Sequence, residues 1–393
     1  MKELVYNKNM EIVYLDNAAT TRPSAAVLNE MQRANEELYF NSAALYAGAL
    51  RVKEELARAT ETIKNRLTRT GEGEVIFTSG ATEGNNMVIL GLMNRWGASP
   101  HTPPAAKPAA KPHLLVLSGE HSSVFAPAMH LKNSGAEVDF VPLLPTGEAD
   151  TDALKRLVRS TTALFVFGMV NSDTGCVQNA AALVDAVRGV NPRVWVHCDA
   201  VQGFCKYDFD TAVLGLDSCV TSSHKLNGPK GVGALWLRKK GTLRPIMHGG
   251  SQQDLRPGTE NNAAVLGFAE AVRGFETTRN YEKMAQLHAR LLRGLPAGCY
   301  VNGINNNPYI TNIQLPLPSG MLGQTVMNAL SARGIYVGLG SACAATASKN
   351  RTLLAMSIPE AKTKQVLRIS FGVNNTPDDV DRFLSALKSV IAQ

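Results

Sequence analysis

The chain has 393 residues, of which 45% are hydrophobic and 19% are charged, and this composition is typical of a globular protein with a large core. No apolar run approaches the roughly 20 residues that span a bilayer, and residues 1–4 lack the pattern of an export signal, so we expect a cytoplasmic protein without a membrane segment. The net charge of +7 is spread along the chain, so we expect no sequence-specific nucleic-acid binding.

The six cysteines do not have the spacing of a metal site. The chain contains no Cys-x-x-Cys pair and no Cys/His spacing suited to zinc, so we expect no metal ligands. Most of these thiols are predicted to be buried and to behave as small hydrophobic groups. Cys343 stands apart, because glycines precede it and small residues follow it.

The N-terminal part of the sequence contains a pattern that suits an anion site. A strand over 11–15 is followed by a turn of small hydrogen-bonding residues over 16–21, and a helical pattern covers 43–67. A strand over 74–78 then leads through Ser79–Asn86 into a helical pattern over 87–96. Free N–H groups and the dipole at a helix start attract anions, so this stretch predicts a phosphate site. An ordinary capped helix explains the same residues equally well.

Strands and helices alternate through the middle of the chain, with strands at 113–117, 138–142, 163–170 and 194–197 and helices at 124–132, 152–159 and 180–188. This alternation predicts an α/β fold with a mostly parallel sheet covered by helices on both faces. Ligands bind at the carboxyl ends of such strands. We therefore expect one pocket built from several strand ends, which carry Thr82, His121, Asn171, Asp199 and Lys225.

Lys225 lies in the stretch Thr221–Gly231, between two short apolar runs. Its neighbours are a histidine, two hydroxyl residues and a turn rich in Gly and Pro, which suits an amine held in a polar pocket at a strand end. Such an amine can form a Schiff base with a carbonyl cofactor. A solvated loop lysine is the alternative that this motif alone leaves open.

The C-terminal part predicts a smaller α+β domain. A glycine-rich stretch over 248–259 precedes a long helical pattern over 262–293, short strands near 309–314, 335–337 and 366–371, and a final helix over 377–391. We expect a large domain over 16–261 and a small domain made of 1–15 and 262–393. The Pro-rich segment 98–112 is expected to be a surface loop without an assigned function.

Ordered sequence blocks over most of the chain resemble the cysteine desulfurases of the class V aminotransferase group. These blocks are Tyr14–Thr21, Phe77–Glu83, Glu120–His121, His197–Gln202, Ser222–Lys225, Gly228–Gly231 and Arg256–Thr259. The resemblance implies the aspartate-aminotransferase fold, which is fold type I of the enzymes that depend on pyridoxal 5'-phosphate. It also implies that cofactor.

The resemblance assigns a role to each matching residue. Lys225 would form the Schiff base and move the Cα proton, Asp199 would hold the pyridinium nitrogen protonated, and His121 would stack on the ring and relay protons. The phenolic oxygen would accept a hydrogen bond from Gln202, and Asn171 would help there or contact the substrate. The phosphate would be bound by Ala81, Thr82, Ser222, His224 and, from a neighbouring subunit, Thr259. A homodimer is therefore expected.

Two residues of the C-terminal part indicate which reaction the resemblance implies. Cys343, in the stretch 338–346, resembles the nucleophilic cysteine of the family's long-loop branch, and Arg368 resembles the arginine that binds the substrate carboxylate bidentately. The resemblance therefore implies that L-cysteine is converted to L-alanine and that a persulfide forms on Cys343. The sulfur would then pass to an acceptor protein for iron–sulfur cluster assembly or for tRNA or cofactor thiolation.

Three blocks depart from the family pattern and leave substrate and partner choice open. Asn41–Tyr46 lacks the usual Asn-Pro-Ser-Ser and histidine, Asn171–Gly175 reads Asn-Ser-Asp-Thr-Gly, and Val373 replaces a frequent arginine. The alternatives are another enzyme of the same fold that uses this cofactor, such as a selenocysteine lyase, a cysteine lyase or an aminotransferase, and a catalytically silent scaffold. RNA binding as the main role rests only on the net charge.

Overall fold

The computed structural model of the protein describes residues 11–95, 111–239, 241, 243–249, 255–304, 306–340 and 350–392. The strands are β1 (Val13–Leu15), β2 (Glu74–Thr78), β3 (His113–Leu117), β4 (Glu137–Val141), β5 (Thr162–Gly168), β6 (Trp195–Asp199), β7 (Ser218–Ser222), β8 (Gly233–Leu237), β9 (Tyr300–Val301), β10 (Ile310–Gln314), β11 (Ile335–Val337) and β12 (Val366–Ser370). The helices are α1 (Ala25–Glu37), α2 (Ala47–Leu67), α3 (Ala81–Arg95), α4 (Ser122–Asn133), α5 (Thr151–Leu157), α6 (Ala180–Val190), α7 (Asn262–Arg273), α8 (Thr277–Gly294), α9 (Gly323–Ser331), α10 (Arg351–Ala355), α11 (Glu360–Thr363) and α12 (Pro377–Ile391).

Within the described ranges, seven strands form one large sheet in the order β2-β8-β7-β6-β5-β3-β4. Strand β8 is antiparallel to both of its neighbours, and the other pairs are parallel. Strands β3 and β5 are buried along their whole length, which is why they read as continuous apolar runs. The predicted mostly parallel sheet is confirmed.

The buried apolar side chains form one cluster on each face of this sheet. The larger cluster includes Leu56 of α2, Val184 of α6 and Phe268 of α7, and it continues into the C-terminal elements. The other cluster includes Ile89 of α3 and Leu131 of α4. None of the helices in the described ranges combines the length and the apolar character that crossing a membrane requires.

The C-terminal part has its own small sheets. Strands β12, β10 and β9 form an antiparallel sheet in that order, and β1 pairs in parallel with β11. A bridge between Asp16 and Ser370 connects the turn after β1 to the end of β12. Strand β1, just before residue 16, therefore pairs with a C-terminal element. The division into domains over 16–261 and over 1–15 with 262–393 stays a prediction.

The helical pattern over 262–293 was expected to be one helix, and this prediction is wrong. Helix α7 ends where the N–H of Gly274 bonds the carbonyl of Glu270, and α8 starts after Glu276. No residue between Val272 of α7 and Met284 of α8 is fully buried, so the apolar pattern is interrupted at the break. Helices α1 and α9 were not predicted, and the helix expected from residue 43 begins at Ala47.

Candidate active site

The carboxyl ends of β2, β3, β5, β6 and β7 surround a pocket of about 490 Å³. Its lining contains all but two of the residues that the sequence assigned to the site: Ala81, Thr82, His121, Asn171, Asp199, Gln202, Ser222, His224, Lys225 and Arg368. Thr259 is exposed and does not line this pocket. Cys343 lies outside the described residues. The structure thus brings the strand-end residues together with Arg368 from the C-terminal part.

Lys225 closes a single 3₁₀ turn, residues 223–225, that directly follows β7. Its ammonium nitrogen Nζ donates to the carbonyl oxygens of Ala18 and Ala19 at 2.5 and 2.6 Å. Burial, with help from the positive charges of Arg368 and Lys206, lowers the pKa of Lys225 to about 7. A large fraction of this amine is therefore uncharged near neutral pH, as nucleophilic attack on a carbonyl requires. The alternative of a solvated lysine does not hold.

The start of α3 and the loop after β7 form opposite sides of one end of the pocket. Ser79, Gly80, Ala81 and Thr82 line it at the helix N-terminus, and Ser222, His224, Lys230 and Gly231 line it from the other side. Burial lowers the pKa of His224 to about 4, and the positive charges of Lys225 and Lys230 act in the same direction. Free N–H groups, a helix dipole, hydroxyls and a lysine together suit a phosphate group.

Asp199, at the end of β6, is held by donors. Its Oδ1 accepts from the N–H of Val201 at 3.1 Å, and its Oδ2 accepts from the amide nitrogen of Asn85 at 2.8 Å. Because a carboxylate only accepts, Asn85 must present its NH₂ group to Asp199 and its oxygen to the opposite side. Asp199 keeps acceptor capacity for a protonated ring nitrogen in the pocket.

A chain of buried hydrogen bonds supports this orientation of Asn85. The indole Nε1 of Trp195 donates to Ser218 Oγ at 2.8 Å, and Ser218 Oγ contacts His197 Nδ1 at 2.8 Å. His197 Nε2 lies 2.9 Å from Asn85 Oδ1. Because Asn85 presents its oxygen to Nε2, that nitrogen carries the hydrogen of the neutral ring, and Nδ1 accepts from the Ser218 hydroxyl, which itself accepts from the indole. Burial lowers the pKa of His197 to about 3, so this ring is neutral.

The same asparagine determines which nitrogen of His121 carries the proton. Asn85 also donates to Ser123 Oγ at 2.8 Å, so the Ser123 hydroxyl is free to donate to His121 Nδ1 at 2.9 Å. The backbone N–H of Ser123 donates to the same nitrogen at 3.1 Å. With Nδ1 accepting twice, the ring proton is on Nε2. Burial lowers the pKa of His121 below its ordinary value, so the neutral ring is favoured.

The side-chain amides of Gln202 and Asn171 form most of their hydrogen bonds with other groups of the protein. Gln202 donates from Nε2 to the Ala18 carbonyl at 2.9 Å, and its oxygen accepts from Lys206 at 3.1 Å. Asn171 Oδ1 accepts the backbone N–H groups of Asp173 and Thr174, and Nδ2 donates to the Gly119 carbonyl at 3.2 Å. Asn171 therefore shapes the turn after β5, and a direct role toward cofactor or substrate stays a prediction.

Arg368 is the buried cation of the site. Its side chain is 2% exposed, Nη2 bonds Asp16 Oδ1 at 2.7 Å and Nη1 bonds the Ser172 carbonyl at 3.0 Å. Asp173 Oδ1 lies 3.9 Å from Nη1. Among the described residues, Nε of Arg368 has no hydrogen-bond partner. A planar guanidinium at the pocket lining is the group that best binds a carboxylate.

Several residues that contact the predicted site residues or line the pocket were not identified from the sequence. Asp16 and Asn85 lie in the quoted motifs or next to them, but their partners are far away in sequence, so spacing gave no signal. Lys206 and Ser123 act on Gln202 and His121, which are four and two positions away, but the burial that gives these contacts their importance is not visible in the sequence. Lys230 lies in the quoted Gly228–Gly231 block, and its position before a glycine was the available signal.

Glu120 lines the pocket and offers a test of its electrostatics. Its Oε1 accepts the Gly168 N–H at 2.7 Å, and burial, with the negative charge of Asp199, raises its pKa from 4.5 to about 8. The folded state therefore binds a proton that the unfolded state releases, and this contribution to stability is lost as the pH rises from about 4.5 to 8. In Glu120→Gln the fall in Tm between pH 5 and 8 should be smaller by about 5 °C.

Thermal unfolding of both proteins across this pH range measures the difference. The control is Glu54→Gln, which removes an exposed carboxylate of α2 and should leave the pH dependence of Tm unchanged. Parallel Tm curves for wild type and Glu120→Gln would contradict a protonated Glu120.

Comparison with known proteins agrees with this geometry. A family model described as Aminotransferase class-V matches residues 13–383. The chain belongs to this family. A cysteine desulfurase IscS 1 from Archaeoglobus fulgidus is 30% identical over 385 residues, 96% of each chain. A human selenocysteine lyase is 28% identical over 427 residues, covering 99% of this chain and 94% of its own. A solved NifS-like protein superposes with a TM-score of 0.87 at 28% identity, covering 97% of this chain and all of its own.

The predicted family, fold type and cofactor are confirmed by these matches. Enzymes of this class use pyridoxal 5'-phosphate, and the donor set of the pocket fits it: an anion cup at the start of α3, an acceptor carboxylate in Asp199 and an amine in Lys225. The turn before α3 also packs closely against the start of β8. A Cβ at Gly233 would lie 2.8 Å from the Cα of Gly80, next to the cup.

Proposed function

We propose that the protein is a cysteine desulfurase that converts L-cysteine to L-alanine and leaves the sulfur as a persulfide on Cys343. The observation that carries the proposal is that one pocket joins an amine with a pKa near 7, Lys225, to a buried guanidinium, Arg368. The relatives named as cysteine desulfurases support the choice of substrate.

Each of these pocket residues has a separate role in the proposed reaction. Arg368 binds the substrate carboxylate and orients the amino acid, so that its Cα–H faces Lys225. Lys225 in its neutral form accepts the Cα proton, and His121, with its proton on Nε2, can deliver one. The cofactor supplies the electron sink that stabilises the negative charge left at Cα. Asp199 keeps its ring nitrogen protonated, which maintains that sink.

The net reaction balances without an outside oxidant or reductant. The Cys343 thiolate attacks the substrate sulfur, an S–S bond forms, and the bond between that sulfur and Cβ breaks. The electron pair of the broken bond stays with the carbon skeleton and ends as a new C–H bond of alanine. Cys343 thus holds both sulfurs as a persulfide, and a further thiol must remove the outer sulfur.

We also propose a homodimer and a protein acceptor for the sulfur. Tyr39, Leu45, Tyr46 and Leu50 are exposed, at 69, 89, 56 and 47%, and Ser42 bonds Glu260 at 2.6 Å, next to exposed Thr259. Such an apolar surface beside the predicted inter-subunit residue suits a second copy of the chain. The acceptor is a thiol-bearing protein of cluster assembly or thiolation, and a cytoplasmic location stays a prediction.

Selenocysteine lyase activity is the alternative that a relative favours. The two functions differ in what Cys343 does, because elimination of selenium does not require a protein persulfide. A desulfurase should turn over L-cysteine only with Cys343 present.

Incubation of the purified protein with L-cysteine should give equal amounts of alanine and sulfide when a reducing thiol is present, and a persulfide mapped by mass spectrometry to Cys343 when it is absent. Cys343→Ala should lower alanine formation by at least about 10²-fold, because the nucleophile is lost. Cys299→Ala, which removes a half-buried thiol, is the matched control. Undiminished alanine formation by Cys343→Ala would rule out the proposed route.

A further inference from the structure

Lys206 is a buried lysine that lies behind the pocket and not in its lining. It is 6% exposed, and its ammonium nitrogen lies 5.5 Å from the centre of the Tyr309 ring. Its hydrogen bond goes to Gln202 Oε1 at 3.1 Å. No acidic side chain pairs with it in the part of the chain that the structure describes. Burying an ammonium without a carboxylate is costly, so such a lysine needs an explanation.

The hydrogen bond determines how Gln202 faces the pocket. An ammonium only donates, so the amide oxygen must point to Lys206 and the amide nitrogen to the other side. One N–H of that nitrogen donates to the Ala18 carbonyl at 2.9 Å. Gln202 lines the pocket, so its second N–H is available there as a donor. The Ala18 carbonyl only accepts, so it and Lys206 favour the same orientation of the amide from its two ends.

The same hydrogen-bond chain leads to Lys225. The Ala18 carbonyl that accepts from Gln202 also accepts from Lys225 Nζ, at 2.5 Å. The charged groups that act on the Lys225 amine are Arg368 and Lys206, which lower its pKa, and Asp16 and Asp199, which raise it. Burial lowers the pKa of Lys206 itself to about 8, so it is still largely positive at pH 7.

We propose that Lys206 is a positioning residue for this pocket: with the Ala18 carbonyl it holds the direction of the Gln202 amide, and it adds a positive charge to the surroundings of the Lys225 amine. The consequence for a bound carbonyl cofactor rests on the function proposed above. The effect on Lys225 does not, because it is a property of the protein alone.

The test compares two neutral variants of Lys206. Lys206→Met removes both the charge and the hydrogen bond, whereas Lys206→Gln removes the charge but keeps a donor for Gln202. With the cofactor removed, the rate at which an amine-reactive reagent labels Lys225, followed by mass spectrometry, should have its pH midpoint near 7 in the wild type. Both variants should raise that midpoint by about one unit.

The cofactor-bound protein gives the second readout. Both variants should shift the pH midpoint of the visible absorption band upward, and Lys206→Met should also change the band maximum, because only there does the Gln202 oxygen lose its donor and one of the two restraints on the amide. Lys283→Met, which removes a lysine bonded to the Val373 carbonyl, is the matched control and should match the wild type in both readouts.

The outcomes separate the two proposals. Wild-type labelling midpoints in both Lys206 variants would overturn the role of Lys206, whatever the enzyme catalyses. A wild-type protein without a visible band after addition of pyridoxal phosphate would instead refute the proposed function and leave the labelling result standing. If Lys206→Met does not fold, Lys206→Gln still decides the effect of the charge.

Discussion

Replacing Lys225 with alanine is expected to reduce the turnover of L-cysteine by at least about 10³-fold, because both roles that we propose for this residue, binding the cofactor and moving the Cα proton, are lost. Its amine is held by the carbonyls of Ala18 and Ala19 and has a pKa near 7. No other lysine of the pocket lining occupies that position, since Lys230 lies at the phosphate end. Alanine formation measured by amino-acid analysis checks the loss.

The variant should also lose its covalent bond to the cofactor while retaining the phosphate cup. Reduction with borohydride should label Lys225 in the wild type and no residue in Lys225→Ala. Lys225→Ala should still bind pyridoxal phosphate reversibly, with the absorption of the free aldehyde. Lys283→Ala serves as the control and should be labelled like the wild type. Full activity of Lys225→Ala would refute the role of this lysine.

Arg368→Lys is expected to lower kcat/KM for L-cysteine by about 10²-fold, mainly through a higher KM. Lysine keeps the charge but replaces the planar guanidinium by a single ammonium group, so the bidentate binding of the substrate carboxylate that we propose is lost. Steady-state kinetics measure the change. Arg290→Lys, at an exposed pair with Asp381, should leave both constants unchanged, because that pair contributes little.

Arg368→Leu should in addition destabilise the fold. It leaves Asp16 without its partner at 2.7 Å and Asp173 without the nearby charge. Breaking a buried ion pair on one side costs about 3–5 kcal/mol, which denaturant unfolding can detect. A KM for Arg368→Lys equal to that of the wild type would show that the substrate carboxylate binds elsewhere.

The sequence predicted most of the large sheet because its strands are buried on both faces. A strand such as β5 has no polar face to interrupt its apolar run. Helix α1 escaped prediction because only Val27 and Ala34 are fully buried along its 13 residues, which is too sparse a pattern. The break between α7 and α8 was missed although Gly274 was a signal for it, because a single glycine inside a helical pattern is often tolerated.

The residues of the candidate site likewise fall into those that the sequence could place and those that it could not. Residues at strand ends could be placed together because parallel strands end at the same edge of a sheet. Asp16, Asn85 and Lys206 could not be placed, because their roles depend on burial and on pairs such as Asp16 with Arg368, 352 positions apart. Hydrogen-bond direction also requires coordinates, since no pattern of residue types shows which atom of an amide faces the pocket.

The turn over residues 16–21 determines when the pocket can form during synthesis. Ala18 and Asp16 contact Ser370 and Arg368 near the C-terminal end, and Thr21 bonds the carbonyl of His224. A ribosome delivers this turn 203 residues before His224 and 352 residues before Arg368 and Ser370. The large sheet can therefore assemble on a growing chain before the contacts with Arg368 and Ser370 form. We expect stable capture of the cofactor only after those contacts have formed.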